Sequence, residues 1–542
     1  MDGSTLARLS GRTRSRLDEF GRDWNRQTLF YALVLAAIVL LGVSFRLRRL
    51  GVAPLWIDEA YNSWAAWNYL NGNGFSDPIG PSSPYRRAWL TTSLPMSVAF
   101  DWLGRTEFAA RLPSVVYGTL SIGVGYLLGR RYDRLLGFLL AAFLAFDPVI
   151  LVWSREARMY APLLFVYLCS VYILVRWYGE AELRLTSVYP YLLAVFVVLG
   201  YYTHQSYLAL GASVLTFFVI QLVPRLRAID EYTLDAMDAK TARLLVLAAG
   251  ATLTAGVFIA LRGVPGVLLH TISETWPDRG PLYYGKVVVV HYPILGALSW
   301  PGMAYVWRKH ETGRLLVLAF LLPLAVATLV PKKAPRYIYH LFPLLAFFGL
   351  YSITLVLRRA WRSVTADGSL SLFESGLCYL APILVVLVVA SPIAAYGVTA
   401  SLYDPPAHPE RSDWEKASEW VREHADEDDA IASTRPELSM WYYGETDYFF
   451  RQNGVSSAAF RDGQYVHTRT GAVFLNETAD IRKLLEGDRD VWLFAGKKFD
   501  YSFTSPEARE LVREEFERRG NESWVNMKVY YYDASENESA AT

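Results

Sequence analysis

Cysteine is almost absent from this chain of 542 residues: it has two, Cys169 and Cys378, and both fall inside apolar runs. No disulfide framework is expected. Net charge is missing too, because 53 Lys and Arg stand against 52 Asp and Glu, so no single-sign field invites a nucleic acid. The first apolar run is not followed by a small-residue cleavage site, and it is expected to stay as an anchor. No internal repeat is found.

Apolar and aromatic side chains are abundant, at 53% and 15% of the chain. They gather in runs such as 31–43, 191–199, 244–261 and 380–390, each part of a segment close to the roughly 20 residues that cross a bilayer. About eleven membrane helices are expected, near 28–45, 111–129, 135–153, 160–178, 188–203, 206–223, 243–262, 284–306, 314–331, 337–357 and 377–399. The N-terminus carries Arg8, Arg12, Arg14, Arg16, Arg22 and Arg26. If it is cytoplasmic, the loops 130–134, 176–184, 225–243, 308–314 and 358–362 are inner and all basic, as the positive-inside rule asks. Segments 46–110, 154–159, 204–205, 263–283 and 332–336, with everything after 400, then face the cell exterior.

The expected fold is an all-α polytopic membrane protein with a small C-terminal α/β soluble domain. It divides into a cytoplasmic segment 1–27, a transmembrane domain 28–400 with a large outer loop 46–110, and an extracytoplasmic domain 401–542. In that last region the apolar pattern suggests helices at 414–424, 479–485 and 506–519 and strands at 430–433, 491–495 and 524–532. Three N-x-S/T triplets, at Asn476, Asn521 and Asn537, lie there as well.

The chemistry gathers in the outer loops. Asp58 and Glu59 follow the first span in Pro54-Leu55-Trp56-Ile57-Asp58-Glu59-Ala60-Tyr61. An acidic pair in a first helical turn has a structural explanation, but cations crowd the same face: Arg86, Arg87, Arg111, Arg155, Arg158, Lys332, Lys333 and Arg336. Some would snorkel to headgroups. A set drawn from separate loops suits one phosphate or pyrophosphate at the membrane surface, a lipid phosphate.

Four stretches carry a family resemblance: Asp58-Glu59, then Glu107-Phe108-Ala109-Ala110-Arg111-Leu112-Pro113-Ser114-Val115-Val116-Tyr117-Gly118, then Ser154-Arg155-Glu156-Ala157-Arg158-Met159-Tyr160, and Pro335-Arg336-Tyr337-Ile338-Tyr339-His340-Leu341-Phe342-Pro343. Together they resemble the GT-C membrane glycosyltransferases, in the branch of protein O-mannosyltransferases and lipid A aminoarabinose transferases, over about residues 28–400. The resemblance implies that Asp58 is the catalytic carboxylate with Glu59 beside it, and that the donor is a dolichyl- or polyprenyl-phosphate-linked sugar. By position it assigns Arg86 or Arg87 and the pair Lys333 and Arg336 to the donor phosphate. The chain has Arg86-Arg87-Ala88-Trp89 where some relatives have a Lys-Pro-Pro motif.

Glycosyl transfer from such a donor needs a base for the acceptor hydroxyl and cations for the departing phosphate. The expected enzyme is an inverting hexosyl- or mannosyltransferase acting on an envelope glycan, protein or lipid. Asp58 and Glu59 are its catalytic candidates; Arg86, Arg87, Arg155, Arg158, Lys332, Lys333 and Arg336 are its donor-phosphate candidates; His204 and Tyr337 are its acceptor-site candidates. A divalent metal is not obligatory, although Asp58, Glu59 and Glu156 could bind one. Three other functions stay open. A lipid-linked glycan flippase would place charge at the bilayer midplane. An oligosaccharyltransferase would be expected to carry a Trp-Trp-Asp motif, absent here. A non-catalytic scaffold would make the acidic pair incidental.

Overall fold

The computed structural model describes residues 26–179, 186–227, 238, 240–249, 279–366, 411–453, 457–500 and 503–535. The expected span 377–399, most of the span 243–262, Cys378 and Asn537 lie outside the described residues.

Among the described residues, six helices are long and apolar enough to cross a bilayer: Thr28–Leu47, Glu107–Arg130, Tyr160–Tyr178, Gln205–Arg227, Glu311–Leu329 and Pro335–Arg359. The helices around the outer loop are α1 (Arg26–Leu47), α2 (Ile57–Leu70), α3 (Leu94–Leu103), α4 (Glu107–Arg130), α5 (Arg134–Phe146), α6 (Pro148–Trp153) and α7 (Tyr160–Tyr178). A fold made mostly of apolar helices is what the sequence predicts, but two expected spans are not straight.

The span expected over 284–306 is bent by 109° between Tyr283–His291 and Pro293–Lys309, because Pro293 has no N–H to continue the first helix and its ring clashes with the preceding turn. The span expected over 135–153 breaks at Asp147, whose carboxylate accepts from Ile150 N at 3.0 Å and caps α6 ahead of Pro148. The two breaks are tied together: the buried Tyr292 hydroxyl donates to Asp147 Oδ1 at 2.8 Å.

Ending α5 at Phe146 leaves carbonyls without helical partners. The fully buried Arg46 of α1 reaches across and donates to Leu144 O at 2.6 Å and Ala145 O at 3.2 Å. Gly118 of α4 makes room for it, since a Cβ there would lie 2.5 Å from Ser154 Cβ and 3.0 Å from Arg46 Nε. Through these contacts the 154–159 segment is held against α1 and α4, at the mouth of the site described below.

The outer loop carries α2 and, after Ala88 in left-handed backbone (φ 52°), a π-helical turn Trp89–Ser93 that runs into α3. The C-terminal domain is an eight-stranded sheet in the order β3-β4-β5-β2-β1-β6-β8-β7. Four central strands are parallel: β1 (Ala430–Ser433), β2 (Tyr448–Phe450), β5 (Val473–Leu475) and β6 (Val491–Gly496). β3 (Ala458–Arg461), β4 (Gln464–His467), β7 (Glu517–Arg519) and β8 (Met527–Tyr532) flank them in antiparallel pairings. The expected helix 506–519 stops at Glu515: Phe516 turns into the core, and residues 517–519 pair with β8 as an edge strand.

This domain and the outer loop share one apolar core, in which Leu55, Trp56, Trp64 and Ala109 pack with Trp414, Leu438, Trp441 and Trp492. Polar contacts pin the seam. Tyr442 Oη accepts from Leu55 N at 2.6 Å and donates to Glu107 Oε1 at 2.7 Å. Trp64 Nε1 donates to Glu437 O at 3.0 Å, the Tyr61 hydroxyl donates to Glu437 Oε1, and Arg105 lies 3.9 Å from the centroid of the Trp441 ring.

Candidate active site

Asp58 and Glu59 are neighbours in the first turn of α2, and the roughly 100° between successive helical residues turns their side chains onto different faces. Glu59 faces inward and is fully buried. Arg111 of α4 grips it in a fork, Nε to Oε1 and Nη2 to Oε2, both at 2.9 Å. Ala157 N donates to Oε1 at 2.8 Å, Trp56 N donates to Oε2 at 3.3 Å, and Arg411 stands 3.7 Å away. Arg411 also pairs with Glu156 at 2.8 Å, whose second oxygen accepts from Trp56 Nε1 at 2.7 Å. Two carboxylates and two guanidiniums thus close a buried knot joining α2, α4, the 154–159 segment and the C-terminal domain. Burial by itself would raise the Glu59 carboxyl, but the Arg111 and Arg411 guanidiniums overcome it and hold the group well below the usual carboxylate range.

Asp58 faces outward, with 27% of its side chain exposed. It pairs with Arg158 at 3.2 Å, and Arg158 Nη1 donates to Asp58 O at 2.7 Å. Arg158 is itself buried, hydrogen-bonded to the Tyr85 side chain, with its Nε unpartnered among the described residues. A 3-10 helix, Pro335–Leu341, packs on α7 and brings Arg336 within electrostatic reach of Asp58, Arg158 and Tyr160. Arg336 Nε is likewise buried and unpartnered among the described residues.

His204 completes this wall. Its ring centroid lies 6.1 Å from that of Tyr160 and 6.2 Å from that of Tyr337. Nδ1 accepts from Ser206 N at 3.1 Å, which assigns the ring proton to Nε2. Burial and the nearby Arg87, His340 and Arg158 push its pKa well below the usual value, so at neutral pH the ring is a neutral donor. Asp58, Arg158, Arg336, Tyr337, His204 and Arg87 therefore converge from five separate stretches of chain.

The other candidate residues are placed differently. Arg155 donates to the carbonyls of Phe45, Arg46 and Arg48 at 3.1, 2.6 and 2.7 Å, closing the end of α1. Arg86 is exposed beside Arg87. Lys332 and Lys333 precede the 3-10 helix, Lys333 buried and Lys332 half-buried. Sequence reasoning missed the knot: Arg111 stands in one of the quoted motifs, but nothing local marks Arg411 as its companion. For a metal, Asp58 is the carboxylate with open lone pairs, since those of Glu59 and Glu156 are filled by guanidiniums and N–H donors. Among the described residues no group of three or more His, Cys, Asp or Glu could hold an ion.

The fold is that of the GT-C membrane glycosyltransferases, in keeping with the resemblance in the motifs. A family profile described as dolichyl-phosphate-mannose-protein mannosyltransferase matches residues 88–233. ArnT from Cupriavidus metallidurans in the apo state is similar with a TM-score of 0.56 at 13% identity, over 94% of this chain and 99% of that one. The same protein bound to undecaprenyl phosphate gives 0.55 at 13%, over 93% and 98%. The oligosaccharyltransferase AglB from Archaeoglobus fulgidus, in complex with an inhibitory peptide and a dolichol-phosphate, gives 0.51 at 14%, over 78% and 64%. A comparison with curated proteins finds no match.

Proposed function

We propose that this protein is a membrane glycosyltransferase that moves a sugar from a dolichyl- or polyprenyl-phosphate donor to a glycan, protein or lipid of the cell envelope. One observation carries the reading: a half-open carboxylate, Asp58, pairs with the Arg158 guanidinium and lies within electrostatic reach of Arg336, while Arg87 acts on His204 in the same wall. Unlike the balanced knot behind it, this cluster has positive charge in excess, and the ligand that balances it is an anion at the membrane face. The ligands named for the similar structures, undecaprenyl phosphate and dolichol-phosphate, are anions of this kind.

In the proposed reaction Asp58 takes the proton of the acceptor hydroxyl as that oxygen attacks the anomeric carbon. The bond from that carbon to the phosphate oxygen breaks, and polyprenyl phosphate leaves against Arg158 and Arg336. Displacement in one step inverts the anomeric configuration. Glu59 is a positioning residue that locks α2 so that Asp58 points outward. His204 Nε2–H and Tyr337 border the space where the acceptor would lie. Mannose is the first sugar to test, because the matching family profile names it.

The site and the C-terminal domain are assigned to the extracytoplasmic face, on the strength of the basic inner loops. Single-cysteine labelling at Lys309 and Asp462 should report opposite sides of the membrane; labelling of both from one side overturns that orientation. For the activity, purified protein is given dolichyl-phosphate-mannose and envelope extract from a deletion strain. Sugar transfer that stops in Asp58→Asn supports the reading. No transfer by the wild type, with directional movement of intact lipid-linked sugar across proteoliposomes instead, would make the protein a flippase.

A further inference from the structure

The end of the helix bundle opposite Asp58 carries a recess of its own. Three membrane helices end around it: α1 contributes Tyr31, α5 contributes Arg134, Leu135 and Phe138, and the span Pro335–Arg359 contributes Arg358. On α1, Tyr31 precedes Arg46 by 15 residues, about 22 Å of helix at 1.5 Å each. Arg358 and Arg336 likewise stand at opposite ends of their segment. The recess therefore lies at the other membrane boundary from the catalytic candidates.

Its volume is about 480 Å³, and its lining is of two kinds. Tyr31 and Phe138, with ring centroids 5.7 Å apart, form an apolar wall with the exposed Leu135. Phe30 and Leu33, on the adjoining turns of α1, are exposed as well, so the wall runs out onto a surface made for acyl chains. The other lining is cationic. The Arg134 guanidinium lies 4.5 Å from the centroid of Tyr31, and Arg358 pairs with Asp133. Asp133 is itself well occupied: its Oδ1 caps α5 by accepting from Leu135 N at 2.8 Å and Leu136 N at 3.4 Å, while Arg358 holds Oδ2. Arg134 has no acidic partner among the described residues. One positive charge is left over, beside the positive end of the α5 dipole.

We propose that this recess binds an anionic phospholipid, its phosphodiester against Arg134 and Arg358 and its acyl chains along Tyr31, Leu135 and Phe138. A guanidinium that only snorkels meets whatever head group passes. Two guanidiniums from different helices beside one aromatic wall define a single position, and basic recesses between membrane helices are where acidic head groups are held. Arg358 keeps Asp133 and still has N–H donors to offer, since a guanidinium carries five. The site does not rest on the sugar-transfer reading. With the basic loops cytoplasmic, the lipid belongs to the inner leaflet, where anionic lipids gather. Only 6% of the apolar stretch of α1 is buried in the protein, so a lipid wedged between α1 and α5 clamps a sparsely packed helix. The far ends of the same two helices meet through Arg46.

The test uses the full chain in a zwitterionic detergent, titrated with phosphatidylglycerol while native mass spectrometry counts the lipids bound. One phosphatidylglycerol should bind ahead of the rest, more tightly than phosphatidylcholine, and raise the melting temperature. Arg134→Gln should weaken that first binding by about fivefold or more, and Arg134→Lys should restore part of it. Equal affinity in Arg134→Gln and the wild type overturns the site, as does a phosphatidylcholine bound as tightly as the phosphatidylglycerol. Lipid binding that leaves the melting temperature unchanged overturns the clamp between α1 and α5. Glycerol phosphate has the anion without the acyl chains and should not displace the lipid; displacement would make this a site for a soluble phosphate and overturn the lipid assignment. A photoreactive phosphatidylglycerol locates the ligand without any substitution. Its crosslinks should fall in the first turns of α1 and α5, and crosslinks confined to other segments overturn the proposal.

Discussion

Asp58 and Glu59 differ by one methylene and one position, yet the molecule treats them as opposites. Glu59 is sealed in a knot where two carboxylates meet two guanidiniums and every carboxylate oxygen has a donor. Asp58 is partly exposed, has one ion pair among the described residues, and sits among more positive charge than it can balance. A balanced buried network holds elements in register and leaves nothing over for a ligand. An unbalanced half-open one is short of an anion. Composition cannot separate these two roles, because both are written in Asp, Glu and Arg.

The largest effect that would sharpen this contrast is on turnover. Asp58→Asn keeps size and some hydrogen bonding but cannot take the proton, so transfer should fall by about 10²–10⁴-fold with donor binding and melting temperature little changed. An active Asp58→Asn enzyme breaks the comparison at its catalytic end.

Glu59→Gln should do the reverse. Removing one charge from a buried pair costs about 3–5 kcal/mol, so thermal unfolding should show a marked loss of stability, and any loss of activity should follow the loss of folded protein. A Glu59→Gln protein as stable as the wild type would mean that the knot is not structural.

Smaller is the expected loss in Arg336→Ala, one charge-assisted contact of about 1.5–3 kcal/mol, or roughly ten- to a hundredfold in affinity for polyprenyl phosphate. Arg155→Ala should lower stability instead, because Arg155 closes the end of α1. Equal donor affinity in Arg336→Ala and the wild type would return Arg336 to a headgroup contact.

The smallest effect is in acid. Because the folded-state pKa of Glu59 is depressed, its stabilising contribution is present in full above the unfolded value of about 4.3 and is lost as pH falls toward the folded value. Melting temperatures from neutral pH down to about pH 3 should therefore fall more steeply in the wild type than in Glu59→Gln. Parallel curves would show that the pair is not linked to folding.

Much of this protein could be read in advance. Long apolar runs had to become membrane helices, since in lipid each backbone polar group needs a partner within its own segment. The buried strand at 491–496 announced itself as a continuous apolar run. The short strands β2 to β5 did not, because three or four residues hold too little alternation to register. The bends at Asp147 and Tyr292 were hidden for another reason. Pro148 and Pro293 stand in the sequence, but a proline within an apolar run is compatible with a kink, a break or a new helix start, and here the Asp147–Tyr292 contact accompanies two breaks.

Sequence alone determined that the chain is membrane-embedded, that a small α/β domain follows, and that acids and cations gather in the segments between apolar runs, because periodicity and composition are local quantities. Tertiary structure decided which of those charges cancel. Arg111 and Arg411 are 300 residues apart in the chain and meet across Glu59 and Glu156. Arg158, in the 154–159 turn, and Arg336, in the 3-10 helix Pro335–Leu341, come from distant stretches of chain and meet at Asp58. Charge neutralisation depends on distance in space and on exclusion of water, and neither exists until the outer loop and the C-terminal domain close over their common core.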